Sequence, residues 1–323
     1  MKLKSIVTYK RFGVAAAIAA AALLNGSTVK ANLLAYDPFD GSDGTTVLGS
    51  SGGFGFSQTW NNSNFTDTQT PLATGYFTNW NLNYSDSFGN VLLTSSGSAF
   101  FQGGTTANNS WQGTRVFNFS RGTNGTDGVW TWISMLTVRT GPENTPTGNR
   151  NAYNRGVNIV HDMNNGNFQK IGVGNGSNAT TNTVAILSSG GSLRASANPE
   201  YQFGGTGGTL ITNFIVLGIE HVAGGLDNTY MWVNPSDLTM DLQANLATAT
   251  TNVLAGYDYS FDRLRIFVGG NANAVNRYGE IFINDYRLGE TAADVMPLVP
   301  EPAVAVLGGL GVLAYVVYRR RKQ

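Results

Sequence analysis

Val129-Trp130-Thr131-Trp132-Ile133-Ser134-Met135-Leu136-Thr137-Val138-Arg139 carries the clearest strand signal in the chain. It holds no Gly or Pro and is rich in β-branched and aromatic residues, with Trp130 and Trp132 opening an apolar set at period two. It reads as a central strand, and the chain on both sides repeats the theme more weakly. Upstream, Thr114-Arg115-Val116-Phe117-Asn118-Phe119 alternates, and Val91-Leu92-Leu93 opens a regular region after a poor signal over 61–90, which reads as loops with one or two weak strands. Downstream, Val157–His161, Phe168–Val173 and Thr183–Leu187 form a meander, with Asn-Gly pairs in the turns.

Leu210–Val222 is a long apolar strand, and Asp227–Pro235 is its hairpin partner across Ala223-Gly224-Gly225-Leu226. Residues 237–255 have room for one short helix, and Phe261–Val268 and Glu280–Leu288 are the last strands. Near the start, Leu33–Asp40 is an edge strand interrupted by Pro38. In the stretch that follows, Gly52-Gly53-Phe54-Gly55-Phe56 with Trp60 reads as a loop pinned to the body by its aromatics. Many short strands with Gly and Asn turns predict an all-β protein of two packed antiparallel sheets.

Both ends of the 323-residue chain have a different character. Lys2, Lys4, Lys10 and Arg11 precede an alanine-rich apolar run, Phe12–Leu24, and Val29-Lys30-Ala31. That order predicts a secretory signal peptide over 1–31, with cleavage after Ala31, the alternative being an uncleaved N-terminal anchor. At the other end, Pro300-Glu301-Pro302 precedes an uncharged run, Ala303–Tyr318, and then Arg319-Arg320-Arg321-Lys322-Gln323. As a helix the run spans roughly 24 Å, short of a hydrocarbon core of about 30 Å. The arginines suit the anionic cytoplasmic surface and the tyrosines the interface. A transmembrane helix over 303–318 with a basic tail over 319–323 follows, leaving 32–297 as the exported domain.

The formal net charge of zero hides an asymmetry. Residues 1–31 hold five basic residues and the tail holds four, so 32–318 carry 11 basic against 20 acidic residues, a net charge of −9. That balance opposes nucleic acid as a partner and suits neutral glycans or calcium. The absence of cysteine excludes a disulfide framework and thiolate chemistry. Aromatic content of 11% indicates a folded domain rather than a disordered polar tract.

The C-terminal arrangement resembles the PEP-CTERM sorting signal over 298–323: a Pro-Glu-Pro triplet, a short Gly-containing apolar helix and an arginine cluster. The resemblance implies a Gram-negative bacterium that makes extracellular polysaccharide, export through the Sec translocon, and processing by an exosortase-type membrane protease. Pro300, Glu301 and Pro302 would be read by that protease, while Arg319, Arg320 and Arg321 hold the substrate in the membrane. The chain would end in the cell envelope, at the cell surface or in the extracellular matrix. The middle of the chain is similar to concanavalin-like, LamG-type jelly-roll domains. The likeness rests on Tyr36–Asp40 with Gly52–Phe56 and Trp60, on Thr229–Pro235, and on Ile281–Gly289 with Thr291–Val295. In the last strand, Asn284-Asp285 stands where that family's acidic pair is expected.

The sequence carries no recognisable catalytic constellation. A retaining glycosidase needs two carboxylates about 5–5.5 Å apart, and Glu143, Glu200, Glu220, Glu280 and Glu290 are scattered. His161 and His221 are the only histidines, with no Gly-x-Ser-x-Gly elbow and no zinc spacing. No catalytic residue is assigned, and the protein reads as a non-enzyme associated with exopolysaccharide. The alternatives are a lectin-like carbohydrate-binding module and a divergent glycoside hydrolase. Trp60, Trp80 and Trp111, with Tyr76 and Tyr153, lie in polar, loop-like contexts suited to stacking on sugars. Trp130, Trp132 and Trp232 read as core. No cofactor is required, although Asp37, Asp40 and Asp227 are weak calcium candidates.

Overall fold

A computed structural model of the protein describes residues 32–61, 74–103, 111–122, 128–140, 157–162, 171–174, 184–188, 192–196, 210–269 and 279–299. Residues 1–31 and 300–323 of the targeting segments lie outside these residues, as do Tyr153 and the Asn-Gly turns. Among the described residues no helix is long and apolar enough to cross a membrane.

The strands in chain order are β1 (Leu33–Asp37), β2 (Thr74–Thr78), β3 (Ser98–Gln102), β4 (Trp111–Arg121), β5 (Trp130–Thr140), β6 (Val157–Asp162) and β7 (Ile171–Gly174). They continue as β8 (Ala185–Ser188), β9 (Ser192–Ser196), β10 (Thr212–Glu220), β11 (Asn228–Val233), β12 (Thr251–Val253), β13 (Phe261–Val268) and β14 (Glu280–Gly289). A 3-10 turn at Leu246–Thr248 and one four-residue helix, α1 (Ala292–Val295), are the helical pieces among the described residues.

These strands form two antiparallel sheets. The larger has eight strands in the order β12-β11-β10-β5-β14-β3-β2, with β1 also paired to β14. The smaller has six in the order β4-β13-β6-β7-β8-β9. The arrangement is consistent with a jelly-roll sandwich. β5 is central, flanked by β10 and β14, as its dense apolar pattern predicts. The β10–β11 hairpin forms in the expected place, with Glu220 opposite Asn228.

Period two divides each large-sheet strand between two cores. Inward, Ile133 and Met135 of β5, Ile215, Leu217 and Ile219 of β10, and Ile281 and Ile283 of β14 meet small-sheet residues such as Phe117, Ile159, Leu264 and Ile266. Outward, Trp132, Leu136 and Val138 of β5, Phe214 and Val216 of β10, and Trp232 of β11 form a second core. Leu82, Leu92, Leu238, Leu242, Ala292, Val295 and Met296 cover it. Trp130 stacks on Trp132 at 5.3 Å, and Trp132 lies 5.5 Å from Trp232, so all three tryptophans read as core do pack on this face.

Several expectations are refined. Among the described residues of 61–90 there is one strand, β2, and the short helix expected in 237–255 is a single 3-10 turn followed by β12. Val91-Leu92-Leu93 is not a full strand: it forms bridges from Val91 to Ser85 and from Leu92 to Leu298. β3 and β9 were not separately legible.

Candidate functional site

The exposed aromatic surface of the large sheet is built by register. Tyr76 of β2 pairs with Phe100 of β3, which pairs with Phe282 of β14, which pairs with Val138 of β5. Their inward neighbours Phe77, Phe101, Ile281 and Ile283 fill the inner core, so the three rings form a row on the opposite face. Ring centroids are 5.1 Å apart for Tyr76–Phe100 and 4.7 Å for Phe100–Phe282. Trp80 stands edge-on to Phe282 at 4.4 Å and 84°. Tyr76 and Trp80 are each 38% exposed, while Phe100 beneath them is buried.

Polar groups flank the row. On one side, the Gln102 amide donates to Glu280 Oε1 at 2.6 Å, one register step from Phe100 and Phe282. On the other, Thr78 and Ser98 hydroxyls lie 3.2 Å apart. The Trp80 backbone is clamped between them: its N–H donates to Thr78 Oγ1 at 3.0 Å and its carbonyl accepts from Ser98 Oγ at 2.7 Å. Partly exposed rings with amide, carboxylate and hydroxyl groups beside them offer an apolar face and hydrogen-bond partners together. That combination suits a sugar ring, whose C–H face is apolar and whose hydroxyls around the rim donate and accept hydrogen bonds.

The structure corrects the sequence reading for two of the three candidate tryptophans. Trp60 and Trp111 are each 1% exposed and belong to the inner core, so neither presents a face to a ligand. Trp111 opens β4 and packs on Phe101 at 4.4 Å. Trp60 donates its indole N–H to Asp37 Oδ2 at 2.9 Å. Trp80 alone of the three reaches the surface row. Phe100 and Phe282 were missed because their partners are remote in sequence; only strand register brings them together.

The calcium candidates are not brought together either. Asp37 is buried and pairs with the Arg115 guanidinium, while its Oδ1 accepts the Phe39 N–H at 3.1 Å. Burial raises this carboxyl above the usual range, against the pull of Arg115 and the Trp60 N–H. Asp40 is exposed. Asp227 accepts from His221 Nδ1 at 3.0 Å, the Val222 N–H at 3.0 Å and the Tyr259 N–H at 2.9 Å. Among the described residues no three carboxylate or imidazole groups converge.

Two histidine clusters resemble chemistry but are sealed. Thr131 Oγ1 lies 3.0 Å from His221 Nε2, whose Nδ1 faces Asp227, in the order of a hydroxyl–imidazole–carboxylate triad. All three residues are 0–1% exposed, so no substrate reaches the hydroxyl, and Asp227 is occupied pinning the β10–β11 turn to Tyr259. His161 Nε2 lies 2.8 Å from the Tyr286 hydroxyl, bridging the two sheets through the inner core. Burial lowers His161 to about 4, and burial together with the Asp37 carboxylate raises Tyr286 well above its ordinary value, so both are neutral at neutral pH.

Asn284-Asp285 also has a structural explanation. The β5 register shifts between Asn284 and Arg287, and Asp285 takes φ 52°, which marks a bulge in β14. The bulge aims Asp285 at the Tyr36 hydroxyl (2.6 Å), the Ser95 N–H (2.8 Å) and Arg287 (3.0 Å).

No protein-family model matches the chain, and no curated protein matches it in sequence. Among solved structures, the chain is similar to an endo-β-1,4-glucuronan lyase from the fungus Trichoderma reesei, at 10% identity and a TM-score of 0.36, covering 75% of this chain and 98% of that one. It is similar to arcelin-5, a lectin-like defence protein from Phaseolus vulgaris, at 7% identity and a TM-score of 0.33, covering 67% and 97%. A third is the Emp47p carbohydrate recognition domain, at 10% identity and a TM-score of 0.34, covering 65% and 95%. At such TM-scores the frames diverge too far for any residue of those proteins to be matched to one here.

Proposed function

We propose that this chain is an exported, non-catalytic, carbohydrate-associated protein of concanavalin-like, LamG-type jelly-roll architecture, which holds extracellular polysaccharide in a lectin-like manner along the Tyr76–Phe100–Phe282 row and Trp80. The row itself carries this reading: two exposed rings sit on a rigid sheet face, backed by two further rings and flanked by Gln102, Glu280, Thr78 and Ser98. A surface without a cationic side chain in the row fits a neutral glycan better than an acidic one. Sequence supplies the rest. The signal peptide delivers the chain through the Sec translocon. The tail with Pro300, Glu301, Pro302 and Arg319–Arg321 marks it for an exosortase-type protease and for the envelope or matrix of a Gram-negative bacterium.

The test is binding of the exported chain to neutral polysaccharide, including the producing organism's own, with calcium and with a chelator present. Saturable binding that falls about tenfold or more in Tyr76→Ala and Trp80→Ala supports the reading, since an aromatic–sugar contact of this kind is worth at least about 1.4 kcal/mol. Binding that both substitutions leave unchanged removes the row from the function. Release of reducing ends during incubation would instead favour the glycoside hydrolase.

A further inference from the structure

The sequence predicts cleavage after Ala31, and in the fold the residue that such a cut makes the first of the mature chain already faces a buried carboxylate. The Asn32 backbone nitrogen donates to Asp294 Oδ1 at 2.8 Å. Asp294 is 5% exposed and sits in the capping box of α1: its Oδ2 accepts the Thr291 N–H at 2.9 Å, while the Thr291 hydroxyl accepts the Asp294 N–H at 3.2 Å. Among the described residues no lysine, arginine or histidine pairs with this carboxylate, in contrast to the buried Asp37, Asp285 and Asp227. A buried carboxylate held only by neutral N–H groups lacks a counter-charge.

The geometry points to Asp294 as the acceptor of the α-ammonium that signal-peptide cleavage creates at Asn32. Hydrolysis of the Ala31–Asn32 amide by a signal peptidase-type protease adds the elements of water: hydroxyl to the Ala31 carbonyl carbon, hydrogen to the Asn32 nitrogen. That amine takes a further proton at neutral pH and becomes an ammonium. The same nitrogen then stands at Oδ1 with a full charge, and a charge-assisted hydrogen bond of this type is roughly twice as strong as its neutral counterpart. α1 is joined directly to Met296-Pro297-Leu298, where the Pro297 carbonyl accepts the Leu93 N–H at 2.7 Å and Leu298 bridges Leu92. Capture at Asn32 therefore tightens the segment through which the chain leaves the fold toward Pro300-Glu301-Pro302.

This inference rests on the export reading, and the experiment separates the two. The chain is exported from its signal peptide in a bacterial host, purified, and its N-terminus sequenced. The amine is then acetylated selectively, which keeps one N–H donor and removes the charge, in the wild type and in Asp294→Asn. The expected result is an N-terminus at Asn32, a melting temperature lowered by acetylation in the wild type, and no further loss in Asp294→Asn. The rate of acetylation is a second readout that survives if Asp294→Asn folds poorly. An amine paired with a carboxylate reacts about tenfold more slowly near neutral pH than the amine of an Asn-Leu-Leu peptide, equivalent to one pKa unit. A chain that keeps residues 1–31 overturns the export reading and the capture together. A terminus other than Asn32 overturns the capture and leaves export intact. So does a terminus at Asn32 whose acetylation rate is that of the free peptide, or whose acetylation lowers the melting temperature equally in both proteins.

Discussion

Arg115 shows what a single residue does in this fold. Its guanidinium pairs with Asp37, donates to the Gly52 carbonyl at 2.5 Å and lies 3.9 Å over the Phe56 ring. It thus ties β1, β4 and the intervening loop at one buried point. Replacing Arg115 with Met strands the Asp37 carboxylate, and the expected cost is about 3–5 kcal/mol in denaturant unfolding. Adding Asp37→Asn should restore much of that, because the penalty lies in the unpaired charge rather than in a lost attraction. A double variant no more stable than Arg115→Met would show that the guanidinium acts through packing on Phe56. His161 is the second informative residue. Its folded value of about 4 lies below the ordinary 6.5, so the unfolded chain binds the extra proton first. The stability that neutral His161 supplies is complete above about pH 6.5 and is lost as pH falls toward 4, a change on the order of 3 kcal/mol. His161→Gln, which keeps a polar partner for the Tyr286 hydroxyl, should flatten the unfolding free energy across that window. A wild-type profile already flat between pH 7 and 4.5 would contradict the burial of a neutral imidazole.

At the scale of elements, the segment 54–61 is the stitch between the two sheets. Phe54 bridges Tyr36 of β1, while Phe56 bridges Phe117 and Asn61 bridges Thr114, both of β4. Gly53 and Gly55 permit it: their φ values are 75° and 85°, and an added Cβ would stand 1.9 Å from the Tyr36 carbonyl oxygen and 2.2 Å from that of Leu34. Gly55→Ala should therefore lose more than about 1 kcal/mol and open the Tyr36–Phe54 amides to hydrogen exchange. Gly44→Ala is the control, because its φ is 74° but its Cβ would meet open space. Equal losses at the two positions would assign the effect to backbone strain alone. The sequence signalled this loop, β5 and the β10–β11 hairpin because each carries its signal locally, in alternation, in glycine spacing or in a short turn. It did not signal the aromatic row or the burial of Trp60 and Trp111. Those depend on which strands become neighbours: the β2–β3 pair meets β14, through β3, only after most of the chain has been laid down. Polar flanking residues around Trp60 suggested exposure, whereas the indole is buried with its N–H satisfied by Asp37. The bulge at Asp285 was equally invisible, since the sequence showed only a departure from an acidic pair.

The described residues are organised by the large sheet, which has a core on each face. In a chain without cysteine, this shared sheet does the work that covalent links perform elsewhere. β5 shows the sharing within two consecutive residues: Trp132 enters the outer core and Ile133 the inner one, and both are fully buried. The outer cover is built from irregular segments and α1, with few backbone ladders of its own, so it has no means of persisting once β5 and β10 separate. Conversely, removing the cover would expose Trp132, Phe214 and Trp232 together, at a cost the sheet does not withstand alone. The two cores should therefore unfold in one transition. Trp132→Ala is expected to lose about 3–5 kcal/mol and Ile133→Ala about 2–5 kcal/mol. Each should shift the same single transition, seen at the same denaturant midpoint by near-UV and far-UV circular dichroism. If Trp132→Ala instead separates an early loss of the near-UV signal from a later loss of strand signal, the cover is an independent layer and the inner sandwich is stable without it. The aromatic row is edge to that outcome: Phe282 packs against the outer core while Phe100 and Tyr76 extend beyond it. If a glycan binds along the row as proposed, concerted unfolding requires that it raise the single midpoint.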